Sequence, residues 1–280
     1  MDIKDSRVLI AGLGLIGGSV AKALRANGFS DINAFDYNLS TVEKAKDEGI
    51  INEAFTRLDG HIRKFDFVLC CLSPVFVIPL YKDVAFLIKE NGVFAEVGGI
   101  KTVMIEELNA AMRPMHELLS LHPMAGSEKT GYNYSSKDIF LESVLVMIKS
   151  DRTRKRALMW ANLLKDVLGC AELTPLEAQR HDEIIAHVSQ VPHVIALALK
   201  AMYQGSGNEQ FAGGSYKSAT RVAQINAKLW AGLMSDNKEC LLSSIGEFKK
   251  QLSSLEESIS SGDRSSLEKV LDSMSGKFEE

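Results

Sequence analysis

Cysteine is scarce in this 280-residue chain, and the four present, Cys70, Cys71, Cys170 and Cys240, follow no metal-ligand spacing. Cys70 and Cys71 are neighbours on an apolar run and cannot readily pair with each other, so the set reads as reduced core residues with no metal among their partners. Basic residues do not dominate either: 32 Lys and Arg stand against 36 Asp and Glu, a net charge of −4. Without a basic face to neutralise many phosphates, a general nucleic-acid binder is excluded, and the cluster from Lys149 to Arg156 reads as a solvated helix start. No uninterrupted apolar run reaches membrane-spanning length, and Met1-Asp2-Ile3-Lys4-Asp5 enters the first strand without a leader or transit pattern. A soluble, cytoplasmic protein with no membrane partner is expected. Internal repeats and low-complexity tracts are missing as well. What remains is 46% hydrophobic and long enough for two domains.

The first of these domains announces itself at Gly12-Leu13-Gly14-Leu15-Ile16-Gly17. Arg7 to Ala11 reads as a short buried strand, and Val20, Ala21 and Leu24 recur at helical spacing after the glycines. In that strand-turn-helix setting the first glycine permits the tight turn. The second lets the backbone approach a pyrophosphate, and Gly17 lets helix and strand pack closely. A diphosphate then meets free N–H groups at the helix amino terminus. A second strand, Ile32 to Phe35, ends in Asp36, about twenty residues past the motif, where a carboxylate accepts from ribose hydroxyls. Asp36 repels a 2′-phosphate, and Tyr37 and Asn38 follow it instead of an arginine. The cofactor expected is NAD, with Gly12, Leu13, Gly14, Leu15, Ile16, Gly17 and Asp36 around it.

Strand-like runs at Val8 to Ala11, Ile32 to Phe35, Phe67 to Leu72, Val93 to Glu96, Leu118 to Leu121 and Val144 to Ile148 alternate with helical patterns. That alternation predicts an α/β, Rossmann-type, doubly wound and mostly parallel sheet. Ligands in such folds sit beyond the carboxyl ends of the strands. Three loops fall there: Ser73-Pro74-Val75, Gly98-Gly99-Ile100-Lys101 and His122 to Lys129; Ser73 and Pro74 join the expected cofactor contacts. After Thr174-Pro175, with Thr174 as a cap and Pro175 at a first helical position, strand signals stop. Helices are expected over Leu176 to Met202, Ala227 to Glu257 and Ser265 to Met274, with a break at the glycines of Gly205 to Gly214. The expected organisation is a dinucleotide-binding domain over 1–174 and an all-helical substrate and dimerisation domain over 175–280. The Leu176 to Met202 helix is apolar around much of its circumference, more than one short domain can cover, which predicts a homodimer through the helical half.

His122-Pro123-Met124-Ala125-Gly126-Ser127-Glu128, the later His181-Asp182 and Pro192-His193, and Thr220-Arg221-Val222-Ala223 followed by Trp230 and Asn237 carry a resemblance. In that order, over nearly the whole chain, they resemble the prephenate/arogenate dehydrogenase family of tyrosine biosynthesis. The resemblance implies oxidative decarboxylation of a cyclohexadienol, with His122 accepting the ring hydroxyl's proton, a role suited to imidazole near neutral pH. It implies that Arg221 grips a substrate carboxylate with its planar fork. His193 is similar to the family's substrate-side histidine, and Ser127 and Glu128 are expected to help orient these partners. His181, His187 and His193 recur every six residues, which does not align on one helical face, so a metal site is not expected.

Two departures stand out against that family. Its Gly-Ser-Val-Lys loop is Gly98-Gly99-Ile100-Lys101 here, after Glu96 instead of Asp, so no serine hydroxyl is available to bond His122. A backbone group, another side chain or water must orient the histidine. Gln190 stands where the family commonly has histidine in Ser-His-x-Pro-His, offering a neutral carbonyl either to a substrate ammonium or to a dimer partner. Prephenate is expected as the preferred substrate, with arogenate turned over too. Small dehydrogenases of the same two-domain plan that act on hydroxy acids generally use a lysine in the second domain, unlike the His122 arrangement. A non-catalytic NAD sensor has no need of both His122 and Arg221.

Overall fold

The computed structural model of the chain describes residues 3–126, 129–205, 207 and 209–276. Among them, in chain order, are β1 Val8–Ala11, α1 Leu15–Ala26, β2 Ile32–Phe35, α2 Leu39–Asp47, β3 Glu53–Phe55, β4 Phe65–Cys70, α3 Val77–Val84, β5 Ile88–Glu96, α4 Thr102–Ala111 and β6 Glu117–Pro123. There follow β7 Val144–Ile148, α5 Lys155–Leu168, β8 Glu172–Leu176, α6 Ala178–Ile185, α7 Val191–Tyr203, α8 Gly214–Thr220, α9 Ala227–Asp236, α10 Lys238–Ser260 and α11 Arg264–Met274. By their contacts they form two units, Met1–Asp182 with Gln224–Asp236, and Glu183–Ala223 with Asn237–Glu280.

In the first unit the strands make one sheet in the order β3-β2-β1-β4-β5-β6-β7-β8. Each pairing is parallel except β6 with β7. This is the doubly wound sheet expected from the alternating pattern. Successive side chains leave opposite faces: Val8 and Ile10 enter a core with Phe67, Leu69 and Trp160, while Leu9 and Ala11 enter another with Phe65, Val68, Tyr81 and Phe94. Trp160 of α5 stacks on Phe67 with ring centroids 4.1 Å apart. At the far end Arg7 is buried and ties three strands together, bonding Asp31 through Nη1 and Glu53 through Nη2 and placing its backbone N–H on Asp66.

Thr174 and Pro175 lie inside β8, not at a helix start. Proline is tolerated there because β8 is the last strand of the sheet, where a missing ladder donor faces outward. The helix that follows begins at Ala178 and continues through a π-helical turn, Ala186–Gln190, into α7. The whole helix, Ala178–Tyr203, is 26 residues and, by length and composition alone, apolar enough to cross a membrane, which revises the expectation that no such stretch exists. The same properties suit a helix covered by another protein surface.

In the second unit α7 packs on the 3-10 turn Arg221–Ala223 and on α10, and α11 packs on α10. The single helix expected over Ala227 to Glu257 is divided at Asn237 into α9 and α10. Asn237 is buried and donates through Nδ2 to the Oε1 of buried Gln190, 2.8 Å away.

Candidate active site

The glycine turn has the shape its spacing predicts. Gly12 has φ +94°, a conformation that side-chain-bearing residues rarely adopt. A Cβ on Gly17 would fall 1.9 Å from the carbonyl oxygen of Gly12, so helix and strand approach each other only because that carbon is missing. A Cβ on Gly14 would meet nothing within 4 Å, and no side chain caps α1 there. The helix amino terminus therefore opens onto free space beside Leu13, Leu15 and Ile16, a cradle for a diphosphate. Asp36, directly after β2, accepts from the backbone N–H of Leu13 at 2.8 Å and of Asn38 at 2.9 Å. Each carboxylate oxygen keeps a further lone pair for a ribose hydroxyl. Beyond it a cavity of about 490 Å³ is lined by Phe35, Tyr37, Arg57, Leu72 and Phe76, with room for an aromatic base. The residues present fit a dinucleotide.

Because β1, β2, β4, β5 and β6 are mutually parallel, their carboxyl ends share one edge of the sheet. Gly12, Asp36, Ser73, the Gly98–Lys101 loop and His122 all follow from or sit in those ends. Ser73 and Pro74 enter a 3-10 turn ending at Phe76, and with Leu229, Leu233 and Asp236 of α9 they line a cavity of about 170 Å³.

His122 lies one residue before the end of β6, half-buried. Its Nδ1 is 2.9 Å from Nε2 of His181, and Nδ1 of His181 is 2.8 Å from Oδ1 of Asp182. Asp182 also accepts from the backbone N–H groups of Lys101 and Thr102, at 2.9 and 2.8 Å, which fixes it at the start of α4. The orientation that the missing loop serine cannot supply thus comes from another side chain. Burial, with the Lys101 ammonium nearby, lowers the His122 pKa to about 3. Burial pushes the Asp182 carboxyl up, but bonds from His181, Thr102 and Lys101 outweigh it and hold it below the usual range. Among the described residues no cluster of three or more His, Cys, Asp and Glu is placed to hold a metal ion.

Behind the histidine lies a second buried network. Lys101 and Glu96 are fully buried, with Nζ 2.7 Å from Oε1, and Nζ also donates to the carbonyl of Leu121 at 2.7 Å. Glu96 further accepts from the hydroxyl of Ser120 and the N–H of Gly98. Burial lowers the Lys101 pKa and Glu96 counteracts it. The pair pins Leu121, the residue before His122, so a truncation that leaves either charge alone is expected to cost roughly 3–5 kcal/mol.

The remaining expected residues divide between the second unit and the undescribed positions. His193, in the first turn of α7, donates from Nδ1 to the carbonyl of Ser189 at 2.8 Å. Arg221 is exposed and opens the 3-10 turn that packs on α7, so the helical unit brings these two onto neighbouring elements. Ser127 and Glu128 lie outside the described residues. His181-Asp182 belongs to the resemblance and Lys101 to a loop at the ligand edge, but the sequence assigns none of the three a role in the site. The signals were the His-Asp pair itself and the Glu96-to-Lys101 spacing, both legible only once the fold brings them under β6.

Comparison with known proteins agrees with this architecture. Residues 20–171 match the family model described as prephenate dehydrogenase, nucleotide-binding domain, and residues 177–273 match prephenate dehydrogenase, dimerization domain. A cyclohexadienyl dehydrogenase of Zymomonas mobilis is 27% identical over 91% of this chain and 89% of its own length. A prephenate dehydrogenase of Bacillus subtilis is 24% identical over 89% of this chain and 69% of its own. The crystal structure of prephenate dehydrogenase from Aquifex aeolicus, in complex with hydroxyphenyl propionate and NAD+, superposes with a TM-score of 0.88 at 26% identity, covering 98% of this chain and 97% of that one. With a glycine turn, an acid directly after β2 and a held histidine on one sheet edge, the chain belongs to the prephenate dehydrogenase family and is an NAD-dependent oxidoreductase.

Proposed function

We propose that the chain oxidatively decarboxylates prephenate to 4-hydroxyphenylpyruvate in tyrosine biosynthesis, in the cytoplasm, with His122 as the general base. The observation that carries this reading is His122 held by a side chain at the carboxyl end of β6, on the sheet edge that carries the glycine turn. NAD, bound across Gly12 to Gly17 with its ribose on Asp36, supplies the acceptor for the hydride leaving the hydroxyl-bearing ring carbon. His122 takes the hydroxyl proton as that C–O bond becomes a carbonyl. The bond to the ring carboxylate then breaks, its electron pair enters the ring, and carbon dioxide departs. The phenolic oxygen so formed takes back the proton that His122 holds, and the charges balance without a further reactant.

Arg221 and His193 take the substrate side, Arg221 by pairing its fork with a substrate carboxylate. Ser127 and Glu128 belong to the same loop as His122 and are proposed to complete the pocket; Ser73 and Pro74 border the cofactor. Residues 1–174 are proposed to bind the dinucleotide and residues 175–280 to bind substrate and form a homodimer. Prephenate is favoured over arogenate because an ammonium needs an acceptor, and the Gln190 carbonyl accepts from Asn237. Arogenate shares the reacting ring and is expected to turn over more slowly.

NADH formation measured with each acid tests the reading. Prephenate is expected to give the larger kcat/KM, and His122→Asn to lower kcat roughly 10²- to 10⁴-fold with NAD affinity unchanged. A specificity constant favouring arogenate by more than about a hundredfold reverses the substrate assignment. Loss of NAD binding in step with kcat makes His122 structural.

A further inference from the structure

The contacts around His122 determine which of its nitrogens carries the proton. Asp182 accepts two backbone N–H groups, one on each oxygen, and backbone amides only donate. Those donors and the lowered pKa keep it a carboxylate, so the His181 nitrogen facing it, Nδ1, bears a hydrogen. A neutral imidazole with hydrogen on Nδ1 offers only a lone pair at Nε2. That lone pair faces Nδ1 of His122 at 2.9 Å, so His122 must be the donor in this bond.

We propose that Asp182 and His181 are positioning residues that hold His122 in its Nδ1–H tautomer, leaving the Nε2 lone pair as the atom that takes the substrate proton. The proposal rests on His122 being the base and adds how the base is set. When Nε2 accepts the proton, His122 becomes an imidazolium. Its Nδ1–H bond to His181 then strengthens, and the Asp182 carboxylate at the end of the chain balances the new charge. When Nε2 returns the proton to the phenolic oxygen, the neutral Nδ1–H tautomer is restored and nothing else has changed protonation. Lys101 is the charged neighbour that opposes the imidazolium, and Asp182 is the one that favours it. Gly99 has no hydroxyl to take the place of His181. His181 is 1% exposed and Asp182 likewise, so the bond between these two is shielded from competing water.

Two measurements on the intact enzyme test this. Nitrogen-15 NMR of the histidine rings in the neutral wild-type enzyme, with His122 assigned through His122→Asn, is expected to show a protonated Nδ1 and an unprotonated Nε2. The second measurement compares His181→Leu with His181→Gln. Leucine removes the acceptor, and kcat is expected to fall roughly 10- to 100-fold, with the KM for prephenate and the Kd for NAD within about twofold of wild type. Glutamine restores a carbonyl acceptor and is expected to recover most of the loss, which a purely structural role for His181 does not require. A protonated Nε2 on His122 overturns the proposal, as does equal kcat in the two variants. If His122→Asn retains full turnover, the assignment of the base fails separately, while the ring spectrum still decides the tautomer.

Discussion

In the nucleotide-binding unit Phe67 and Trp160 stack inside a core closed on both faces of the sheet, and even Lys101 and Glu96 are sealed from water. In the helical unit the long helix α10 buries only Leu241, and among the described residues α11 buries none. Leu242, Leu252 and Ile259 of α10 are each more than half exposed in the single chain. Fully burying one such side chain stabilises by roughly 1.5–3 kcal/mol, so this much bare apolar surface is a surface waiting for cover. One unit is completed by its own sequence, and the other leaves apolar surface that the proposed homodimer would cover. The family model over residues 177–273 carries the description of a dimerization domain, which supports that reading.

The largest effect that separates the units is expected from Arg221. Replacing it with alanine is expected to remove the proposed partner of a substrate carboxylate, at roughly 2–5 kcal/mol, or about 30- to several-thousand-fold in KM for prephenate. The Kd for NAD, set in the other unit, is expected to stay put. Steady-state kinetics together with NAD titration check this, and an unchanged KM moves the carboxylate site away from Arg221. Next comes the interface. The wild-type chain is expected to sediment as a dimer at micromolar concentration, and Leu252→Glu to raise the dimer dissociation constant by at least about tenfold, since a carboxylate is then forced against apolar surface. A wild-type monomer removes the dimer proposal.

The contrast also explains what the sequence made legible. A parallel strand buried on both faces is a nearly continuous apolar run, so β1, β2 and β7 are legible with their bounds, and Gly12 and Gly17 follow from backbone geometry alone. Edge strands lack that signature: β3 is only Glu53–Phe55, and β8 carries Thr174 and Pro175, which read as a helix start. His122 stood out because its neighbours form a motif. The partner that orients it is 59 residues away, and no local pattern encodes a contact made by folding α6 back beneath β6. Gln190, in place of the family's histidine, reads as a contact either to a substrate ammonium or to a dimer partner. Its actual partner, Asn237, is a helix-breaking position 47 residues on.

A smaller effect is expected at Asp36. Asp36→Ala removes the acceptor for Leu13 N–H together with the proposed ribose partner and source of 2′-phosphate repulsion. NAD is expected to bind more weakly by roughly 1–3 kcal/mol, and its preference over NADP to narrow. Fluorescence titration with both cofactors measures it, and an unaltered preference removes Asp36 from the ribose site.

The completeness of the first unit brings an acid sensitivity, and this is the gentlest of the expected effects. His116 is 1% exposed; its Nδ1 accepts from the Tyr81 hydroxyl, whose oxygen in turn accepts from the N–H of Arg113. Burial, with Arg113 adding to it, lowers its pKa from 6.5 to about 4. Between about pH 4 and 6.5 the unfolded chain therefore holds a proton on this residue that the folded chain refuses. Stability rises with pH through that window and is lost as pH falls through it, with a slope of at most about 1.4 kcal/mol per pH unit from this one group. Trp160 stacks on Phe67 inside the nucleotide-binding unit, so its fluorescence in urea, read in a Trp230→Phe background, reports that unit's unfolding. His116→Gln keeps an acceptor for Tyr81 but cannot take up a proton. It is expected to be less stable at neutral pH yet to lose less on acidification, so the two stability curves converge towards pH 4. Parallel curves, with the same slope in both proteins, transfer the titration to another buried group, of which His122, also lowered, is the next to examine.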